Sequence, residues 1–72
     1  MSTMNWQDVD SSMISGFGYD ESKQILEVEF NTGGTYRYLN VPKSVVDGLE
    51  EADSKGRYMH SHIIDQYPHQ KL

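Results

Sequence analysis

A strand-turn-strand pattern runs through residues 25–42, ILEVEFNTGGTYRYLNVP. In its first half, Leu26, Val28 and Phe30 alternate with other residues, which predicts a strand with one buried face. The glycines that follow suit a three-residue hairpin loop with a bulge, because glycine readily adopts a left-handed backbone conformation. The second half, TYRYLNV, predicts the partner strand. The rest of the fold can be built outward from this hairpin.

The length of the hairpin loop decides which face the tyrosines occupy, since a slip of one residue moves every side chain to the other face. A loop at residues 32–34 pairs Phe30 with Tyr36, Val28 with Tyr38, and Glu29 with Arg37. A loop of two or four residues would put Arg37 on the apolar face. The three-residue loop is therefore favoured, and it predicts that the two tyrosines pack in the core. The alternative is that they stack on unpaired nucleic-acid bases.

Further elements flank the hairpin on both sides. A first strand is predicted within SMISGFGYD, from Ser12, although the loop after it allows more than one register. After the hairpin, VPKSVVDGLEEAD predicts a helix with Pro42 in its first turn, in which Gly48 weakens the helix or marks a close contact with the sheet. A second helix, SKGRYMHSHIIDQY, is predicted to begin at a cap formed by Asp53 or Ser54 and to end before Pro68. The expected fold is α+β: a three-stranded antiparallel meander followed by two short helices.

The length and composition of the chain predict one small domain. Its 72 residues suffice for a single core, with a folded part at about residues 9–67 and flexible ends. It has no cysteine, no apolar stretch long enough to span a membrane and no signal-peptide pattern, so we expect a cytoplasmic protein.

The net charge of −5 is unevenly distributed along the chain. Residues 1–36 carry six acids and one base, whereas residues 37–72 carry five of each. Since an acidic domain repels nucleic acid at long range, binding to nucleic acid would require a local basic patch. Only the second half of the chain offers one, through Arg37, Lys43, Lys55 and Arg57.

Five short motifs, taken in order, resemble the KTSC domain: VDSSMI, GYD, GGTYRYLNVP, ADSKGRYMHSHI and the late Tyr67. This small family is named for domains at the C-terminus of some lysyl-tRNA synthetases, and it also includes stand-alone bacterial and phage proteins. The resemblance covers residues 9–67. It maps the YxY element of the family onto Tyr36 and Tyr38, and the serine and glycine of its second-helix motif onto Ser54 and Gly56. The resemblance implies RNA binding only because some members of the family are attached to lysyl-tRNA synthetases.

The SKGR segment, residues 54–57, is the candidate anion site. A serine at a helix start, with free backbone N–H groups and basic neighbours, can hold a phosphate or carboxylate. The simpler interpretation is an ordinary helix cap, with Lys55 and Arg57 offsetting the negative charges of the acidic residues just upstream. Tyr58 is a candidate for base stacking next to this site.

Neither catalysis nor metal binding is expected. His60 and His62 lie two residues apart, unlike the i, i+4 pair of a zinc helix, and His69 lies near the C-terminus. No histidine motif accompanies Ser11 and Ser12 to activate a nucleophile. We therefore expect a non-catalytic binding module without cofactors, which binds RNA or single-stranded nucleic acid through the basic residues. The alternative is a protein-interaction module that uses a sheet edge or an acidic strand face formed by Ile25, Glu27 and Glu29.

Overall fold

A computed structural model describes residues 4–72 and shows an α+β domain. Its elements, in chain order, are β1 (Asn5–Asp8), β2 (Ile14–Asp20), β3 (Ile25–Phe30), β4 (Thr35–Tyr38), α1 (Lys43–Glu51), α2 (Lys55–Tyr58) and β5 (His69–Lys71). A π-helical turn, Met59–Ile63, continues α2 directly. The strands form one antiparallel sheet in which each strand pairs with its neighbours in the chain.

The β3–β4 hairpin has the predicted three-residue loop, but the loop lies one residue earlier. Phe30 N–H donates to the Gly34 carbonyl at 2.8 Å, and Gly33, at φ +101°, donates to the Phe30 carbonyl. The loop is thus residues 31–33, with a glycine in the left-handed conformation. The strands pair Leu26 with Tyr38, Val28 with Tyr36, and Glu27 with Arg37. The predicted pairing was wrong by two positions, but a shift of two leaves every side chain on its predicted face.

The predicted three-stranded sheet is corrected by two further strands, and the part of the predicted flexible N-terminus at residues 1–3 lies outside the described residues. β1 pairs with β2 at one edge of the sheet, and β5 pairs with β4 at the other. All their residues are exposed, so neither segment shows the apolar alternation that reveals a half-buried strand. Backbone hydrogen bonds hold them, and backbone groups leave no signature in the sequence.

The core lies between one face of the sheet and the helices. It consists of Ile14, Phe17, Tyr19, Leu26, Val28, Tyr38 and Val41 from the sheet side, with Val46, Leu49, Met59 and Ile63 from the helical layer. Tyr36 and Phe30 pack against the edge of this cluster, with ring centroids 5.4 Å apart in an edge-to-face arrangement. Both tyrosines of the YxY element therefore lie on the core face.

The helices begin close to where the sequence placed them, but the second is shorter than predicted. Pro42 immediately precedes α1 instead of lying in its first turn, and its carbonyl accepts the Val45 N–H. Gly48 makes its close contact with the Tyr58 ring of α2 and not with the sheet. The helical path ends at Ile63 because Ile64 is extended and Asp65 is left-handed at φ 66°.

The loop between β2 and β3, whose register the sequence left open, is stabilised by Asp20. The last pair of the two strands is Asp20 with Ile25, which leaves residues 21–24 as the loop. The Asp20 carboxylate accepts hydrogen bonds from Ser22 N–H, Ser22 hydroxyl and Lys23 N–H. An aspartate that bonds the backbone two residues later stabilises a turn.

Candidate interaction surface

The four basic residues proposed as a nucleic-acid patch do not come together. Each lines a different surface depression: Arg37 one beside Met4, Lys43 one beside Gln7, Lys55 one beside Asp10, and Arg57 one beside Ser61. Arg37 also lies on the face of the sheet opposite the helices, whereas the other three belong to the helical layer. A single nucleic-acid strand would have to pass around the sheet to contact all four.

Three of these side chains already have partners within the domain. Arg37 donates two hydrogen bonds to Glu27, at 3.0 and 2.9 Å, instead of meeting Glu29. Lys43 pairs with Asp47 one helical turn later, and this hydrogen bond and charge raise the Lys43 pKa. The Lys55 ammonium donates to two backbone carbonyls, of Glu50 and Ala52, at the end of α1. It thus satisfies acceptors that a helix end leaves unpaired.

Ser54 and Gly56 have structural roles in the SKGR segment. The Ser54 hydroxyl accepts the Arg57 N–H at 3.3 Å, as a helix cap does. A Cβ added to Gly56 would lie 3.0 Å from the Cβ of Met13, so any larger residue here would require Met13 to shift by a few tenths of an ångström. The depression beside Ser54 also contains the carboxylates of Asp10 and Asp53, which would repel an anion.

Arg57 differs from the other three bases. Its guanidinium makes no hydrogen bond or ion pair within residues 4–72, and it borders a depression of about 300 Å³ with Ser61 and His62. Tyr58 lines the same depression, but its ring is 4.5 Å from His62 and its hydroxyl donates to the Val45 carbonyl. Burial, and then Tyr67, raise the Tyr58 pKa. The ring and the hydroxyl of Tyr58 therefore already have contacts inside the domain.

A continuous open surface lies on the other side of the sheet. Both helices pack against the core face, so the opposite face carries no helix within residues 4–72. One row of directly opposed residues crosses all five strands on this face: Trp6, Gly18, Glu27, Arg37 and Gln70. We call this surface the open face.

Trp6 is the dominant side chain of the open face. A Cβ added to Gly18 would lie 2.7 Å from Cε3 of the indole, and one added to Gly16 would lie 2.9 Å from Nε1. The indole therefore lies across both glycines, and its N–H donates to Asp8 at 3.2 Å. With 43% of its surface exposed, Trp6 presents a fixed aromatic surface to solvent.

Carboxylates surround this aromatic surface. Asp8 and Glu29 flank the row that contains Trp6, and Glu27 lies within it. Ser15, the extra residue of a bulge in β2, donates to the Glu29 carboxylate at 3.0 Å and holds it in place. The basic side chains near them are Arg37, which is bound to Glu27, and Lys23, which lines the same depression. The open face therefore favours a cationic or neutral partner over an anionic one.

The sequence analysis identified part of this surface and missed its centre. It named Ile25, Glu27 and Glu29 as an acidic strand face, but it assigned Trp6 to a loose end. The available signal was the pair Gly16 and Gly18 inside a predicted strand, because glycine at such positions often marks a close approach of another group. Which group approaches depends on the pairing of β1, which the sequence does not show.

No helix in the described part of the chain is long and apolar enough to cross a membrane. Within residues 4–72, no group of three or more histidine, aspartate or glutamate side chains is arranged to hold a metal ion.

These features define a small α+β domain with a five-stranded sheet that is covered by helices on one face. The sequence model of the KTSC domain matches residues 10–67, and the chain belongs to this family. The crystal structure of a KTSC domain protein from Yersinia pestis has the same fold, with a TM-score of 0.94, 37% sequence identity, and coverage of 97% of this chain and 99% of that one.

Relatives of this chain occur both alone and within larger proteins. An uncharacterized protein from Stutzerimonas stutzeri is 52% identical over 59 residues, which are 82% of this chain and 83% of that protein. A lysine–tRNA ligase from Nostoc sp. is 36% identical over 63 residues, which are 88% of this chain but only 11% of the ligase. The chain therefore corresponds to a small part of the ligase.

Proposed function

We propose that this KTSC domain is a non-catalytic protein-interaction module that binds its partner through the open face. The observation that carries this proposal is Trp6, which is held flat on Gly16 and Gly18 and still has 43% of its surface exposed. Tryptophan is enriched among the residues that dominate binding energy in protein interfaces. A fixed ring loses little conformational freedom when a partner covers it.

A cytoplasmic location of the module is part of the same proposal. Relatives within lysine–tRNA ligases support a cytoplasmic location, because these enzymes charge the tRNA used in translation. In those proteins the same surface would join the ligase to another protein.

The first experiment compares what the domain and its open-face variants capture from a lysate of the source organism. Trp6→Ala and a double charge reversal, Glu27→Lys with Glu29→Lys, alter the open face, whereas Arg57→Ala alters the helical layer. We expect specific partners to be lost with the first two variants and kept with the third. An unchanged set of captured proteins across all variants would exclude the open face as the docking surface.

The second experiment measures binding of a purified partner directly. Trp6 is the single tryptophan of the chain, so its fluorescence reports on the open face. A partner without tryptophan should change this emission, and Trp6→Ala, measured by calorimetry, should weaken binding by about 2 kcal/mol, as for a residue at the centre of an interface. Binding that leaves the emission unchanged would place the contact elsewhere.

RNA binding remains a second candidate function, supported by the relatives within lysine–tRNA ligases. Arg57, with Ser61 and His62 beside it, is the part of the proposed basic patch that is available to a phosphate. Fluorescence anisotropy with single-stranded RNA at about 50 mM salt tests this, since electrostatic affinity is strongest at low salt. Arg57→Ala should weaken binding about tenfold, the equivalent of one charge-assisted hydrogen bond. Lys23→Ala, which removes the same charge elsewhere, should change it less; equal losses would indicate nonspecific attraction.

A further inference from the structure

An aromatic recess lies on the helix side of the sheet, beyond the end of the helical layer. It has a volume of about 320 Å³. Its lining includes four rings, of Phe30, Tyr36, Tyr38 and His69, together with Ile64 and Asp65. The proposed docking surface does not include this recess, because the recess lies on the opposite face of the sheet from Trp6.

The pairing of β4 with β5 creates the recess. Tyr38 is opposite His69 in this pairing, and their ring centroids are 5.6 Å apart. The π-helical turn ends at Ile63, so Tyr36 and Phe30 are only partly buried although they lie on the core face. Tyr38, at 3% exposure, closes the deeper side of the recess.

The rings of the recess are inclined to one another. Phe30 and Tyr36 are nearly perpendicular at 88°, Tyr36 and His69 are inclined by 49°, and Tyr38 and His69 by 38°. A flat nucleobase cannot stack between two rings that are far from parallel. A rounded group can contact several such rings at once.

The carboxylate of Asp65 is the acidic group in the lining of the recess. The Tyr38 pKa is raised by burial, next by Tyr36 and then by the negative charge of Asp65. The basic residue Lys71 lies opposite Tyr36 in the sheet, and its Cε lies 3.6 Å from a Cβ built on Gly34. Lys71 is outside the lining, so the charge within the lining favours a cation.

We propose that the aromatic recess binds an alkylammonium group, such as a methylated lysine side chain or a choline head group. The negative faces of aromatic rings attract cations, and ring cages are a common way to recognise quaternary ammonium. The volume suits a small ligand group. Asp65 adds a charge that a purely apolar recess would lack.

NMR titration of the ¹⁵N-labelled domain tests this inference with matched ligands. Choline and an Nε-trimethyllysine peptide carry the cation, and 3,3-dimethylbutan-1-ol is a neutral molecule of the same shape as choline. We expect shifts at Tyr36, Asp65 and His69 with the cations, and at least about fivefold weaker binding of the neutral alcohol. Tighter binding of the peptide than of choline would identify a protein side chain as the source, and the reverse a free or lipid-borne head group.

Two variants should change the affinity of the recess for cations in opposite directions. Asp65→Asn should weaken cation binding, whereas Lys71→Gln should strengthen it, and both changes are on exposed residues that should leave the fold intact. Tyr36→Leu should abolish binding, and Tyr36→Phe should retain it. Equal affinity for the neutral alcohol, preference for adenosine, or absence of shifts with every ligand would overturn the proposal.

Discussion

On the helix side of the sheet, Phe17, Leu26 and Val28 are at most 1% exposed, whereas on the open face Trp6 leaves 43% of its surface in solvent. The first face is held by many apolar contacts and is protected from water. The second has one large side chain, two glycines beneath it and a set of carboxylates. The difference shows that the apolar core lies on one side of the sheet, whereas the other side leaves its largest side chain accessible to solvent.

The largest effect is expected on the covered face. Phe17→Ala should lower the free energy of unfolding by about 3–5 kcal/mol, because it leaves a cavity in a core that cannot collapse fully. For so small a domain this is most of the stability, and chemical denaturation will measure it. Trp6→Ala is the matched aromatic deletion on the open face. If it destabilises the domain as much as Phe17→Ala, the two faces do not differ as described.

A smaller effect is expected beneath the indole. Gly18→Ala should lower stability by about 1–2 kcal/mol and shift the Trp6 emission, because the new Cβ displaces the ring. Gly34→Ala is the control, since a Cβ there would meet the Tyr36 ring at 3.4 Å, an ordinary contact.

The same substitution can also be made in a Trp6→Ala background. Without the indole, Gly18→Ala should lose part of its effect on the free energy of unfolding, because Met4 Cγ also lies 2.7 Å from the added Cβ. An undiminished effect would mean that Met4 or the strand itself requires glycine here, and not Trp6.

The ion pair of the open face should contribute less. Arg37 and Glu27 side chains are 37% and 19% exposed, and Arg37→Ala should lower the free energy of unfolding by about 0.5–1 kcal/mol. A double-mutant cycle with Glu27→Gln should show coupling, whereas one with Glu29→Gln should show little. Coupling to Glu29 in place of Glu27 would contradict the observed register.

The smallest effect is expected at high pH. Burial, then Tyr36 and Asp65, raise the Tyr38 pKa above its ordinary value of 10.0, so folding favours the neutral phenol. The stabilising contribution is complete below pH 10.0 and is lost as the pH rises through the higher pKa of the folded state. The wild-type domain should therefore lose stability above this pH more steeply than Tyr38→Phe. Identical pH profiles would show that Tyr38 is not the group responsible.

The α+β class and the central hairpin follow from local patterns. Alternating apolar residues specify the faces of β3, and a glycine that can be left-handed specifies the loop between β3 and β4. The register was predicted two positions away because loops at residues 31–33 and 32–34 preserve the same faces. Only hydrogen bonds of the folded hairpin distinguish them.

Tertiary structure alone decided the candidate sites. The open face requires β1 to pair with β2, which puts Trp6 over Gly16 and Gly18. The aromatic recess requires β5 to pair with β4, which puts His69 beside Tyr38. Both edge strands are short and exposed, so their positions depend on backbone pairing with distant segments. By itself the sequence determined the faces of the central hairpin and the approximate starts of the two helices, because these depend on local patterns. It could not determine which side chains of the edge strands, such as Trp6 and His69, lie on those faces.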